Sequence, residues 1–177
     1  MKPWILILIF IMAAGAAAKA RAETKPLEVV PRVDVQRYLG TWYEIATIPQ
    51  RFQKGCVGVT AHYSLRADGD IDVVNVCRKE TLDGKERSVR GKAWIVDRTT
   101  NAKLKVRFFW PFAGAYWIIE LDKDYEWAVV GHPNRSYLWI LSRTPQMESG
   151  LYDELLRRIA AKGYDLRKLK KTLQPGG

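Results

Sequence analysis

The feature that most constrains this fold is a series of eight short, apolar, β-prone segments between residues 40 and 142. Asp68-Gly69, between the second and third segments, supplies the positive φ that a tight hairpin requires. Eight short strands in sequence, joined mainly by short turns, predict an antiparallel up-and-down β-barrel wide enough for one small ligand. The predicted fold class is therefore all-β, with one helix near the C-terminus. The segments are 40–46, 57–65, 71–77, 88–96, 103–109, 116–121, 127–131 and 137–142.

The first and last of these segments contain residues suited to closing the sheet. In the last segment Trp139 and Leu141 share a face with Arg143, so an arginine stands in line with a buried row. A charge in that position needs hydrogen-bond acceptors and an aromatic face, and the indole of Trp42 in the first segment can supply the face. Pairing of the first and last strands would close the sheet into a barrel that can hold a ligand.

These residues also carry a family resemblance. Gly40, Trp42 and Tyr43 match the G-x-W-Y motif of the lipocalin family, and Arg143 matches its closing arginine, so these four residues are predicted to close the barrel. The chain resembles the bacterial and apolipoprotein D-like members over residues 33–163. Residues 124–127 match the middle motif with one residue fewer, and the loop between the sixth and seventh strands is where the chain departs from the family pattern.

Strand alternation and the resemblance together select the inward-facing side chains. Alternation groups Glu44 and Ala46 with Trp42, while positions matching Tyr63 and Asn75 line the ligand cavity in apolipoprotein D. Glu44 and Asn75 are notable because an inward polar group costs free energy unless it bonds to a ligand, water or another group. The predicted ligand-binding residues are Glu44, Ala46, Ala61, Tyr63, Val73, Asn75, Phe108, Tyr137 and Trp139.

The size of the inward-facing residues bears on whether the barrel is hollow. Small residues such as Ala46, Ala61 and Gly91 favour space inside, and Trp42 is predicted to plug the closed end. The alternative is a barrel filled by its own side chains.

Residues 1–22 read as a secretory signal peptide, and residues 23–177 as a single domain. An early lysine, an apolar run and small residues fit a leader cut after Ala22 or Ala20; the alternative is an uncleaved membrane anchor. Related bacterial proteins carry a lipid on a cysteine at this junction, whereas the first cysteine here is Cys56. We therefore expect a protein of the periplasm or cell envelope that is secreted across the inner membrane and is not lipid-anchored.

The chain is basic, with 29 Lys and Arg against 19 Asp and Glu and a net charge of +10. Removing Lys2, Lys19 and Arg21 with the leader lowers this charge to +7. A secreted chain without a nucleic-acid motif is not expected to bind nucleic acid. The alternatives are peripheral contact with an anionic membrane and a merely solvated surface. Late cations dominate the excess: Arg157, Arg158, Lys162, Arg167, Lys168, Lys170 and Lys171.

Residues 150–162 have the period of an amphipathic helix. Leu151, Leu155 and Ile159 recur at helical spacing, and Gly163 marks a helix end. We expect the helix to pack on the barrel rather than on a membrane, because the outward-facing Leu138 and Ile140 of the last strand would otherwise be exposed. The tail, residues 164–177, either pairs as an extra strand or frays.

Cys56 and Cys77 are the only cysteines, and in an oxidising compartment they are predicted to form a disulfide. Strict hairpin pairing would misalign them, so the bridge requires a bulge or the flexible Gly55. The alternative is a catalytic Cys56, since a prostaglandin isomerase of the same family uses a thiol in this region. His62 and His132 lack further ligands at metal-binding spacing, so neither a metal nor another cofactor is predicted.

The segment Trp110–Trp117 is rich in aromatic residues and is predicted to be a loop between the fifth and sixth strands. Its aromatic side chains could form a lid, contact a membrane or partner, or pack against one another within an ordinary loop.

The sequence predicts non-covalent binding, storage or transport of one hydrophobic ligand. No paired carboxylates, nucleophile–base grouping or phosphate loop can be assembled from it. The resemblance implies a fatty acid or lysophospholipid of the cell envelope as the ligand. Two alternatives remain open: a thiol-dependent lipid-modifying enzyme that uses Cys56, and an envelope interaction module that needs no ligand.

Overall fold

The computed structural model describes residues 25–176, and it confirms the predicted barrel. Each of eight antiparallel strands pairs with the next along the chain, and the first strand pairs with both the second and the eighth. The sheet is therefore closed, with one helix packed outside it. The strands are β1 (Gly40–Thr47), β2 (Cys56–Leu65), β3 (Ile71–Lys79), β4 (Glu86–Ile95), β5 (Lys103–Phe109), β6 (Phe112–Leu121), β7 (Trp127–Gly131) and β8 (Leu138–Ser142).

The two ends of the barrel differ. A short helix α1 (Val35–Tyr38) crosses the end that holds the β2–β3, β4–β5 and β6–β7 connections, which we call the closed end. The other four connections, β1–β2, β3–β4, β5–β6 and β7–β8, surround what we call the open end.

β1 has a different neighbour along each half of one edge. Only Gly40–Tyr43 pairs with β2, because the two strands diverge beyond this point. A short strand β9 (Lys170–Lys171) pairs with Ala46 and Thr47, and the N–H of Gly58 donates to the carbonyl of Leu173 at 2.7 Å. The C-terminal tail therefore fills the gap between β1 and β2 as an extra strand.

Helix α2 (Ser149–Ala161) covers the outer face of β1, β7 and β8, as the periodicity predicts. Leu155 and Ile159 are fully buried against Leu138 and Ile140 in an outer core. The carboxylate of Glu148 caps the helix by accepting hydrogen bonds from two backbone N–H groups of its first turn. Within residues 25–176, none of the helices has the length and hydrophobicity needed to cross a bilayer.

Arg143 ties the closed end together. Its guanidinium carbon lies 3.8 Å from the centroid of the fully buried Trp42 ring, which confirms the predicted cation–π contact. The same side chain donates to the carbonyls of Thr41 at 2.9 Å, Arg37 at 2.8 Å and Tyr125 at 3.2 Å. Strand β8 is thereby joined to β1, α1 and the β6–β7 connection.

The backbone conformation at position 40 favours glycine. Its φ is +93°, which L side chains rarely adopt, whereas an added Cβ would be in ordinary van der Waals contact with a terminal nitrogen of Arg143, at 3.4 Å. Tyr43, the last residue of the same motif, packs instead in the outer core beside α2.

The β6–β7 connection, where the sequence departs from the family pattern, still reaches α1. Tyr125 has a φ of +66°, and its hydroxyl accepts a hydrogen bond from the N–H of Asp34 at 2.7 Å. Its ring also lies 4.2 Å from the guanidinium of Arg37. This connection therefore holds α1 across the closed end of the barrel.

The structure confirms the Cys56–Cys77 disulfide and the bulge that it requires. The register of β2 against β3 shifts between Val57 and Thr60, where Gly58 adopts a φ of +56°. The extra residue brings the two cysteine Cα atoms to 5.5 Å.

The predicted loop Trp110–Trp117 is wrong for most of its length. β6 begins at Phe112 rather than at Tyr116, so only Trp110 and Pro111 connect it to β5. The run Ala113-Gly114-Ala115 lacks the β-branched residues typical of strands, but it extends β6 because it pairs with Lys105 and Val106 of β5.

Replacing Arg143 with alanine should lower the free energy of unfolding by about 2–4 kcal/mol, because it removes several charged hydrogen bonds and the cation–π contact. The measurement is urea denaturation of the purified protein. The exposed Arg98 of the β4–β5 connection provides a matched control, and Arg98→Ala should change stability by less than about 0.5 kcal/mol. Equal urea midpoints for the two variants would contradict the role given to Arg143.

Candidate binding cavity

The barrel encloses a cavity of about 400 Å³ that opens between the connections at the open end. This volume lies within the usual range for small-molecule sites. Most of the lining is apolar and comes from the inward faces of β2, β3, β5, β6 and β8. Eight predicted residues line it: Glu44, Ala61, Tyr63, Val73, Asn75, Phe108, Tyr137 and Trp139.

Ala46 does not line the cavity, and the expectation that it shares an inward face with Glu44 is wrong. The register of β1 against β8 shifts between Glu44, which pairs with Leu141, and Ala46, which pairs with Ile140. This bulge reverses the alternation of β1, so Ala46 is fully buried in the outer core beside α2. Periodicity alone gives no sign of the bulge.

Gly91 also serves a different purpose from the one its size suggests. An added Cβ there would lie 2.6 Å from a ring carbon of Phe108. The glycine therefore makes room for the Phe108 ring, and it is this ring that lines the cavity.

Three tyrosine hydroxyls meet at the closed end of the cavity, which we call its floor; Tyr63 and Tyr116 line the cavity, and Tyr38 lies behind them. The hydroxyl of Tyr116 lies 2.8 Å from that of Tyr38 and 2.9 Å from that of Tyr63. Burial raises the pKa of Tyr63 to about 12 and the pKa values of Tyr38 and Tyr116 well above their ordinary value. All three are neutral at physiological pH. The sequence analysis missed Tyr116 as a site residue, although its alternation with the outward-facing Trp117 was a usable signal.

Glu44 is a buried carboxyl group in one wall of the cavity, with 4% of its surface exposed. It accepts hydrogen bonds from the Thr172 hydroxyl at 2.6 Å and the Gln53 side-chain amide at 3.1 Å. Desolvation by burial raises the pKa of Glu44, and these two hydrogen bonds oppose the rise without cancelling it. A carboxyl of this kind holds its proton to higher pH than an exposed glutamate.

The partner of Glu44 in the tail could not be predicted from local sequence. Thr172 follows it by 128 residues. Gln174, which is also buried, donates to the carbonyls of Glu44 at 2.9 Å and Val59 at 2.8 Å. The tail therefore lies behind the cavity wall at Glu44 and fixes this polar group in place.

Three further polar atoms in the lining residues lack a hydrogen-bond partner within the described part of the chain. They are Nε2 of Gln50, Oε1 of Gln53 and Oδ1 of Asn75. A buried amide without a partner costs free energy, so these atoms are available to a ligand or to water. We call these amide groups, of Gln50, Gln53 and Asn75, together with the Glu44 carboxyl, the polar patch of a mainly apolar lining.

Three of the seven late cations have carboxylate partners. Arg158 pairs with Glu154 and Glu120, and Lys162 pairs with Glu120 at 2.9 Å. Arg167 pairs with Asp165 at 2.8 Å. The basic run is therefore a weaker patch than its sequence suggests. In residues 25–176 no three His, Cys, Asp or Glu side chains cluster as a metal site would require.

Fold and cavity together define a small-molecule-binding β-barrel, and comparison with known proteins identifies its family. The sequence profile of the lipocalin-like domain matches residues 33–174. The chain therefore belongs to the lipocalin family, as the motifs predict.

Individual relatives cover nearly the whole chain. Temperature-induced lipocalin-1 of Arabidopsis thaliana is 45% identical over 161 residues, covering 86% of this chain and 85% of that protein. The outer membrane lipoprotein Blc of Escherichia coli K12 is 42% identical over 175 residues, covering 96% and 98%. Apolipoprotein D of Macaca fascicularis is 32% identical over 185 residues, covering 96% and 95%.

The same fold occurs in insecticyanin of the tobacco hornworm Manduca sexta. Its crystal structure superposes with a TM-score of 0.65 at 21% sequence identity, covering 82% of this chain and 83% of that one. At this level of identity the similarity shows the fold alone.

Replacing Glu44 with glutamine should remove a pH dependence of stability. Because the folded-state pKa of Glu44 is raised, the folded chain holds this proton more tightly than the unfolded chain. The stabilisation is complete below the ordinary value of 4.5 and is lost as the pH rises through the raised value. As the pH rises, the free energy of unfolding of the wild type should therefore fall relative to that of Glu44→Gln.

Urea titrations from about pH 4 to about pH 8 measure this difference. The exposed Glu126→Gln removes the same charge at the surface and serves as the control. A difference for Glu44→Gln that stays constant with pH would contradict the assignment.

Proposed function

We propose that this protein binds a single-chain lipid, a fatty acid or a lysophospholipid, without a covalent bond, and stores or carries it in the cell envelope. The observation that carries the proposal is the enclosed, mainly apolar cavity with one polar patch. An acyl chain in this cavity loses contact with water, which favours binding by about 25 cal/mol per Å² of apolar surface before the costs of association.

The chemistry of the polar patch favours a lysophospholipid over a free fatty acid. Oε1 of Gln53 and Oδ1 of Asn75 accept hydrogen bonds, and Glu44 adds carboxyl oxygens. These acceptors suit the hydroxyl group of a glycerol head. A fatty-acid carboxylate needs donors or cations. Within the described chain the patch offers one unpaired amide donor, Nε2 of Gln50, against two unpaired amide acceptors, and no Lys or Arg is among the lining residues.

Location in the envelope rests on two supports. Residues 1–22 have the composition of a secretory leader, although they lie outside the described residues. The relatives named Blc are called outer membrane lipoproteins. In this chain the first cysteine, Cys56, is bonded to Cys77, so we propose an unanchored mature protein beginning at Glu23. Intact-mass measurement of the protein from its own envelope fraction tests this, and a mass carrying acyl chains would contradict it.

The thiol-enzyme alternative lacks its nucleophile here, because Cys56 is in the disulfide. Thiol titration of the mature protein under native, non-reducing conditions should find no free thiol. A reactive thiol on Cys56 would revive the alternative. Of the late cations that the ligand-independent module would use, Arg158, Lys162 and Arg167 have carboxylate partners within the protein.

Native mass spectrometry of protein isolated from its own envelope, followed by lipid extraction, tests the proposed function most directly. We expect one bound single-chain lipid per protein. A cavity that stays empty in that protein, and that takes up neither lysophosphatidylglycerol nor oleate after delipidation, would contradict the proposal.

Trp139→Ala should weaken the affinity for both lipids by at least about tenfold, because it removes apolar contact area from the cavity wall. Titration of the delipidated protein with each lipid measures the effect. Trp94 lies outside the cavity against Arg107, so Trp94→Ala is a control of equal volume that should leave both affinities unchanged.

Asn75→Leu removes one acceptor from the polar patch at similar volume. It should weaken lysophosphatidylglycerol binding by about tenfold relative to oleate, the loss expected for one buried hydrogen bond. Equal loss for both lipids would contradict the role of the patch in headgroup selection while leaving lipid carriage intact.

A further inference from the structure

The β5–β6 connection carries a group of uncovered aromatic side chains. Phe109, Trp110 and Phe112 are 68%, 82% and 79% exposed, and Pro111 is exposed between them. Phe109 and Phe112 form the last pair of the hairpin, so the rings stand together at its end. We call residues 109–112 the aromatic tip. Large neighbouring apolar side chains left in water mark an interaction surface.

The aromatic tip is part of the cavity mouth. Phe109 and Phe112 line the cavity with one part of their surface and face solvent with the rest. Whatever covers the tip therefore also adjoins the opening through which a ligand enters.

Charge is distributed unevenly between the two ends of the barrel. The connections at the open end, residues 48–55, 80–85, 110–111 and 132–137, contain four Lys or Arg against two acidic residues. Those at the closed end, residues 66–70, 96–102 and 122–126, contain three against six. The open end therefore suits an anionic surface, and the closed end does not.

Exposed cations lie across the mouth from the aromatic tip. Arg51 and Lys54 are exposed on the β1–β2 connection, and the exposed Lys170 pairs with Thr47 at the open end of β1. β1 and β5 are separated by three intervening strands in the closed sheet, so the cations and the tip flank the mouth on opposite sides.

We propose that the open end docks on an anionic phospholipid bilayer, with the aromatic tip in the interfacial layer and Arg51, Lys54 and Lys170 facing the headgroups. Trp and Phe side chains partition into the membrane interface, and cations near an anionic surface add attraction. In this orientation the mouth faces the bilayer, so a lipid passes between membrane and cavity without crossing bulk water. This surface differs from the basic helix and tail that the sequence singled out.

Vesicle flotation tests the proposal with the full mature chain. Wild type should bind vesicles of phosphatidylglycerol and phosphatidylethanolamine, and it should bind phosphatidylcholine vesicles more weakly. Trp110→Ser should lower partitioning by about tenfold, because the variant loses roughly 60 Å² of apolar surface that the wild type would bury in the membrane. Trp110→Phe should retain most of the binding.

Leu65 provides the matched control, because it is 48% exposed and ends β2 at the closed end. Leu65→Ser should leave partitioning unchanged. For the cations, Arg51→Gln with Lys54→Gln should lower binding to anionic vesicles by about fivefold per cation. Arg32→Gln with Arg98→Gln removes two exposed cations at the closed end and should have little effect.

Three results would overturn the proposal. They are wild-type partitioning by Trp110→Ser, equal losses from Trp110→Ser and Leu65→Ser, and a wild-type dimer that Trp110→Ser abolishes without changing vesicle binding. The last result would assign the aromatic tip to a protein contact.

The test is separable from the proposed function. Trp110 does not line the cavity, so Trp110→Ser should bind lysophosphatidylglycerol normally in solution without vesicles. Vesicle binding through the tip by a protein that takes up no lipid would support docking and contradict lipid carriage.

Discussion

The guanidinium of Arg143 lies against the Trp42 indole and donates hydrogen bonds to backbone carbonyls in α1, β1 and the β6–β7 connection. Arg143 is half-buried, and several acceptors and an aromatic face replace the water that its charge loses. Burial lowers the pKa of Arg143, but arginine remains charged at any physiological pH. The segments that supply these acceptors must therefore meet at one point, which holds the barrel shut at one end and leaves the other free to open.

The cavity above this closure contains two kinds of polar group. One kind forms its hydrogen bonds within the protein, and the other is available to a ligand. The floor is made of neutral tyrosine hydroxyls that satisfy one another, so it seals the cavity without demanding a ligand. Within residues 25–176, the wall around Glu44 has amide atoms with no protein partner. Under the proposed function, this wall is where the head of a lipid would gain hydrogen bonds, with its chain along the apolar lining.

The strand order, closure, outer helix and disulfide could be predicted from the sequence because each leaves a local or motif-level sign. Alternation and the family resemblance together selected nine binding residues, and eight of them lie in the cavity lining. Alternation failed at Ala46, because a bulge in β1 shifts the phase, and at Phe112–Ala115, because cross-strand pairing overrides weak strand propensity. The Glu44–Thr172 contact joins residues too distant for any local pattern to reveal.

The tail residues that bond to Glu44, Thr172 and Gln174, follow Arg143 in the chain, so they are synthesised after the residues that close the barrel. Until Thr172 and Gln174 take their places, the gap between β1 and β2 leaves Glu44 without the Thr172 hydrogen bond. As the chain folds, Arg143 can therefore close one end of the barrel before the tail fills the gap between β1 and β2.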